Sequence, residues 1–193
     1  MSRLTSHGRT AINPVMRASL QYKIKTAGSL TRGCQSYACS ICGVEHTDLP
    51  HLGSAAPFHW ADGLAKDPNS LLTEEVCIIE GRDFFVHGVI EIPVYDYNHE
   101  FGWGVWVSHK KENIERYREH FDSADIGPFF GWLCTAIDDY TEPTLQLKTM
   151  AHYRGGGIRP RIVPEESEHP LYCQQRDGIS LAEAWKMVHH FAK

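Results

Sequence analysis

Apolar and polar positions divide the chain into a few well-separated elements. Residues 76–79 (Val-Cys-Ile-Ile) and 84–92 are β-branched and aromatic runs, and Glu80-Gly81-Arg82-Asp83 between them has turn composition. The pattern predicts a β-hairpin. Trp103, Val105 and Val107 alternate with Gly104, Trp106 and Ser108, so residues 103–108 read as a strand with Trp103 and Trp106 on opposite faces. Trp103, Trp106 and Trp132 read as core side chains, with one of the first two left exposed. Ser108 stands where an N-cap belongs, and Ile114, Tyr117, Arg118 and Phe121 follow at helical spacing. A helix is predicted over 110–122.

The second half repeats this alternation more faintly. Residues 144–153 alternate as a strand, Gly155-Gly156-Gly157 supplies a turn, and 158–163 returns as a strand. Ser180-Leu181-Ala182-Glu183 is a capping box, and Leu181, Ala184, Trp185 and Val188 give an amphipathic last helix. Residues 46–68 contain three prolines and two glycines and read as a loop. Strands in runs with helices set apart predict an α+β fold. The expectation is a single domain over 34–193, with a largely antiparallel sheet, two main helices and a Cys-x-x-Cys knuckle.

Charge changes this picture at the N-terminus. Residues 1–33 carry six basic residues and no acidic one, a segment at +6, whereas the remaining residues hold 13 basic and 24 acidic side chains, or −11. The first 33 residues have the composition of a basic leader or flexible arm. The acidic remainder argues against a nucleic-acid surface and suits a basic protein partner. With no apolar run of transmembrane length, no membrane span is expected. The six cysteines form no regular framework, which points to reduced thiols and a cytoplasmic location.

The densest chemistry lies at Cys39-Ser40-Ile41-Cys42-Gly43-Val44-Glu45-His46. Two thiolates on one tight turn, with a glycine to reverse the backbone, make half of a tetrahedral zinc site. Two other readings stay open: reduced cysteines in a turn with His46 as a hydrogen-bond partner, and a redox pair, which lacks its usual βαβ setting. Elsewhere Glu91, Asp96, His99 and Glu100 are the candidate lining of a hydrolytic pocket, without an accompanying nucleophile. Arg154, Arg159 and Arg161 flank the triple glycine as a candidate anion site or a solvated loop. His189-His190 reads as a helix C-terminus favoured by the macrodipole.

The knuckle is followed in order by Leu49-Pro50, Ala56-Pro57, Cys77, residues 84–93, residues 103–108, residues 130–133, His169-Pro170-Leu171 and Gly178-Ile179-Ser180. In this succession the chain resembles the bacterial proteins grouped as domain of unknown function family 2199, from about Cys39 to near the C-terminus. The resemblance implies no activity. It implies that the Cys-x-x-Cys-Gly-x-x-His stretch and Cys77 belong to the family pattern, while Cys34, Cys134 and Cys173 do not. Cys39, Cys42, Cys77 and His46 are therefore the expected ligands of a closed structural zinc site. The leading expectation is a non-enzymatic, zinc-stabilised protein-binding domain. An immunity or inhibitor protein that neutralises a basic bacterial toxin, and a hydrolase of unspecified substrate, are the alternatives.

Overall fold

The computed structural model describes residues 37–39, 42–46 and 48–191. The basic segment 1–33 and Cys34 lie outside the described residues. The elements, in chain order, are β1 (Tyr37–Ala38), β2 (Glu45–His46), β3 (Leu52–Gly53), β4 (Leu71–Leu72), β5 (Val76–Ile79), β6 (Asp83–Ile92), β7 (Phe101–His109), α1 (Lys111–Glu119), β8 (Phe129–Trp132), β9 (Lys148–His152), β10 (Arg161–Pro164), α2 (Pro170–Asp177) and α3 (Leu181–Phe191).

The hairpin expected around residue 80 is present. Glu80 and Gly81 both have positive φ, 51° and 66°, and Arg82 N–H closes the turn onto the Ile79 carbonyl at 3.0 Å, within a three-residue loop between paired Ile79 and Asp83. β6 is long enough to hold different partners along one edge: β5 pairs with its first half, from Val86 to Asp83, and β10 runs parallel to it at Val89. Its other edge is filled by β7 from Phe84↔His109 to Ile92↔Phe101. β10 continues antiparallel to β9, and β9 to β8. A bridge between Val107 and Leu133 then returns the path to β7, so the pairings close into a ring. Gly131 marks how close that closure is, because a Cβ there would meet the Ser108 carbonyl oxygen at 2.2 Å.

The sheet is mixed. β3 with β7 and β10 with β6 are parallel, against five antiparallel pairings. The short local hairpins gave the antiparallel expectation, whereas the parallel contacts join segments far apart in sequence. Three α-helices occur among the described residues, one more than expected. The additional one, α2, starts with Pro170 at its first position and with the His169 side chain accepting from Leu171 N–H at 3.1 Å. Ser108 does not cap α1. It belongs to β7, and its Oγ accepts from Trp132 N–H at 3.1 Å.

Two apolar clusters sit on the two faces of the sheet. Trp103, Val105 and Val107 of β7 join Ile114 and Tyr117 of α1, Leu171 of α2 and the apolar face of α3. Trp106 joins Phe85, Cys77, Cys134, Ala56 and Trp60 on the other face. Both Trp103 and Trp106 are buried, which corrects the expectation that one is exposed. The second face is covered by the loop around residues 54–66, held by Trp106 Nε1–H donating to the Ser54 carbonyl at 2.9 Å.

Candidate metal centre

β1 and β2 pair through Tyr37↔His46 and Ala38↔Glu45, and the turn between them carries both cysteines. Cys39 N–H donates to the Val44 carbonyl at 3.0 Å, and Gly43 N–H donates to the Cys39 carbonyl at 2.9 Å. Gly43 has φ +73°, a conformation costly for a side chain with a Cβ. This backbone aims both sulfurs toward His46. Cys42 Sγ lies 3.2 Å from His46 Nε2.

The fourth donor comes from the far end of the chain. His189, in the last turns of α3, has Nε2 at 3.1 Å from Cys39 Sγ, across 150 residues of sequence. One donor atom from each of Cys39, Cys42, His46 and His189 lies within 4.8 Å of the others. Donors at the vertices of a zinc tetrahedron stand roughly 3.3–3.8 Å apart, given zinc–sulfur and zinc–nitrogen bonds of about 2.3 and 2.0 Å. The two sulfur–nitrogen separations of 3.1 and 3.2 Å lie close to that spacing, and the two-sulfur, two-nitrogen donor set suits that ion. His46 stacks on Trp185, one helical turn before His189, with ring centroids 3.9 Å apart. Cys39 is buried, Cys42 exposed, and the two histidines intermediate.

Cys77 is not in this group. It lies in β5 opposite Phe85 and belongs to the cluster on the Trp106 face. Cys39 belongs to the cluster on the Trp103 face, so the sheet separates the two thiols. Burial pushes the Cys77 thiol up to about 12, whereas metal binding needs the thiolate. His189, read from sequence as a helix-terminal residue, takes the position expected of Cys77. Its neighbour His190 instead pairs with Asp139 at 2.8 Å.

Among the other candidates, Glu91, Asp96 and the arginines make contacts within the chain, while His99 and Glu100 are exposed. Glu91 binds Arg154 at 2.5 Å and Arg161 at 3.6 Å. Asp96 Oδ1 accepts from Leu181 N–H at 2.7 Å, at the start of α3. His99 lies edge-on to Tyr97. Arg159 is buried, pairs with Glu75 at 3.0 Å and donates to the Glu74 carbonyl. The three arginines around the triple glycine thus meet carboxylates of this chain rather than an external anion.

Residues 38–179 match the family described as uncharacterised proteins conserved in bacteria, DUF2199. The chain belongs to this family. No curated protein and no solved structure matches it. The match includes Cys39, Cys42 and His46 but ends before α3, so His189 lies beyond it. Among the described residues, no helix is long and apolar enough to cross a membrane.

Proposed function

We propose that this member of the family is a non-enzymatic protein-binding domain in which a structural zinc ion clamps the N-terminal knuckle to the C-terminal helix. The reading is supported chiefly by the convergence of Cys39, Cys42, His46 and His189 donor atoms. Four protein donors fill a tetrahedron and leave no position for substrate or water, the mark of a structural site. When bound, zinc supplies a cross-link between the knuckle and α3 in addition to the His46–Trp185 stacking. Cys39 and Cys42 are held by the turn, and Trp185 positions the His46 ring.

The binding role draws on charge. Residues 34–193 stand at −11. His169 Nε2–H donates to the Glu142 carbonyl at 3.3 Å, which brings Glu142 to the segment that follows Glu165, Glu166 and Glu168 in the sequence. A basic protein surface is the complementary partner, and its association is steered by charge.

The clamp predicts about one zinc per chain by elemental analysis. No bound metal, with Cys39 and Cys42 titrating freely, would remove it. The binding role predicts recovery of a basic protein at low salt, with an association rate that falls as ionic strength rises. Reproducible small-molecule turnover abolished by substitution of Glu91 or His99 overturns it in favour of an enzyme.

A further inference from the structure

A second site lies at the end of the β6–β7 pair remote from the 93–100 connection. Here the strand ends open into a cavity of about 500 Å³, walled by Asp83, Phe84 and Phe85 of β6, Ser108 and His109 of β7, and Trp132 of β8, among others. None of the four metal-centre residues lines it.

Its charges are unbalanced. Arg82 is the only lysine or arginine in the wall, and its guanidinium is taken by Glu80 across the β5–β6 turn. Asp83 has no ion-pair or hydrogen-bond partner for its carboxylate among the described residues. His109 brings no positive charge near neutral pH. Its Nδ1–H donates to the Phe130 carbonyl at 3.3 Å, and burial pushes its pKa down to about 4. The Asp83 carboxylate is therefore the uncompensated charge facing this space.

Aromatic side chains share the cavity wall with that carboxylate. Trp132 is 41% exposed although it belongs to a strand of the closed ring. Phe130 packs edge-on against it, and His59 lies parallel over Phe85 with centroids 6.0 Å apart. Gln146 contributes a further sign of construction. It lines the cavity with φ at +65°, a conformation uncommon for a residue with a side chain and enriched where function fixes the backbone. Its backbone N–H donates to the Leu133 carbonyl at 2.8 Å, which fixes the main chain that carries the Gln146 side chain at the rim.

A lone carboxylate among aromatic rings selects for an organic cation, through charge-assisted hydrogen bonds and cation–π attraction. An anion meets repulsion from Asp83, and a neutral apolar ligand strips water from that carboxylate without replacing it. We propose that this cavity binds an alkyl guanidinium or ammonium group, with Asp83 as counter-ion, the Trp132 ring as its cover and the Gln146 amide oxygen as an additional acceptor. The group comes either from a free amine or from an arginine or lysine side chain of a protein partner. The site depends on neither the zinc clamp nor the acidic patch.

The test titrates the full chain with N-acetyl-arginine methylamide, with agmatine and with the uncharged citrulline counterpart, by calorimetry. Both cations bind saturably at one site, and the citrulline compound binds at least about tenfold more weakly, as loss of a charge-assisted contact requires. Asp83→Asn weakens the cations by about the same factor, and Trp132→Ala by about threefold. Both side chains are exposed, so the melting temperature stays unchanged and serves as the folding control. Cys39→Ser, if folded, binds the cations as the parent does, which separates this site from the metal centre. Agmatine binding as tightly as the arginine compound identifies a free amine as the source, and tighter binding of the arginine compound identifies a protein side chain. No saturable binding, equal binding of the citrulline compound, or an unchanged affinity in folded Asp83→Asn overturns the proposal.

Discussion

His189 stands in the candidate donor group where Cys77 was expected, and a pair of substitutions separates the two. His189→Ala removes one of four donors, so zinc content falls from about one per chain toward zero. Cys77→Ser leaves the zinc content unchanged. It lowers unfolding free energy by about 1–3 kcal/mol in urea titration, because a hydroxyl replaces a thiol at a fully buried position. Retention of zinc by the first variant, or its loss from the second, reverses the assignment. The knuckle residues were legible because their chemistry is local: two cysteines, a glycine and a histidine within eight positions. The fourth donor was not, because 150 residues separate His189 from Cys39, and nothing in the sequence says which distant element folds back onto the turn. The available signal was the position of His189 one helical turn after Trp185, on the buried stripe of α3.

At the scale of elements, the parts with local causes were readable and the parts set by long-range pairing were not. The capping box of α3 forms as its residues indicate: Glu183 Oε2 accepts from Ser180 N–H at 2.8 Å, and Ser180 Oγ accepts from Glu183 N–H at 3.2 Å. The β5–β6 hairpin follows from its turn. The ring closure through Leu133 and the parallel placements of β3 and β10 depend on contacts that no local pattern encodes. The central pair β6–β7 also buries two histidines whose consequence is measurable. His87 stacks on Trp106, and burial, reinforced by the Arg159 charge, lowers its pKa to about 3. Burial lowers His109 to about 4. Both are therefore neutral in the folded protein at pH values where the unfolded chain, near 6.5, already binds protons. Their contribution to stability is intact above pH 6.5 and is lost as pH falls toward 4 and then 3. The expected loss is about 1.4 kcal/mol per pH unit for each histidine. Urea titrations between pH 7.5 and 4.5 check the slope. Zinc release also follows protonation, so the same series on folded Cys39→Ser isolates the buried pair. A flat profile in that variant would assign the whole pH effect to the metal centre.

Across the whole molecule, the packed core continues beyond the family match. The match stops at Ile179, yet α3 follows at once and inserts Leu181, Ala184, Trp185, Met187 and Val188 into the main core. The same helix presents His189 to Cys39, and Asp96 caps its first turn from the β6–β7 connection. Removing residues after 179 therefore strips apolar packing and the fourth metal donor together. Four of those buried side chains are large, and each contributes about 1.5–3 kcal/mol on transfer from water, so the loss reaches roughly 6–12 kcal/mol as an upper bound. That is comparable with the entire stability of a typical domain, about 5–15 kcal/mol. The truncated chain is expected to lose cooperative unfolding and to bind no stoichiometric zinc. His189→Ala in the untruncated chain provides the comparison: it loses zinc but retains the α3 packing, and so keeps a cooperative, lower-temperature transition. Calorimetric melting of the two proteins with and without chelator distinguishes these contributions. A truncated chain that melts cooperatively at the temperature of His189→Ala would show that α3 acts through its histidine alone, and that the core is complete without the helix.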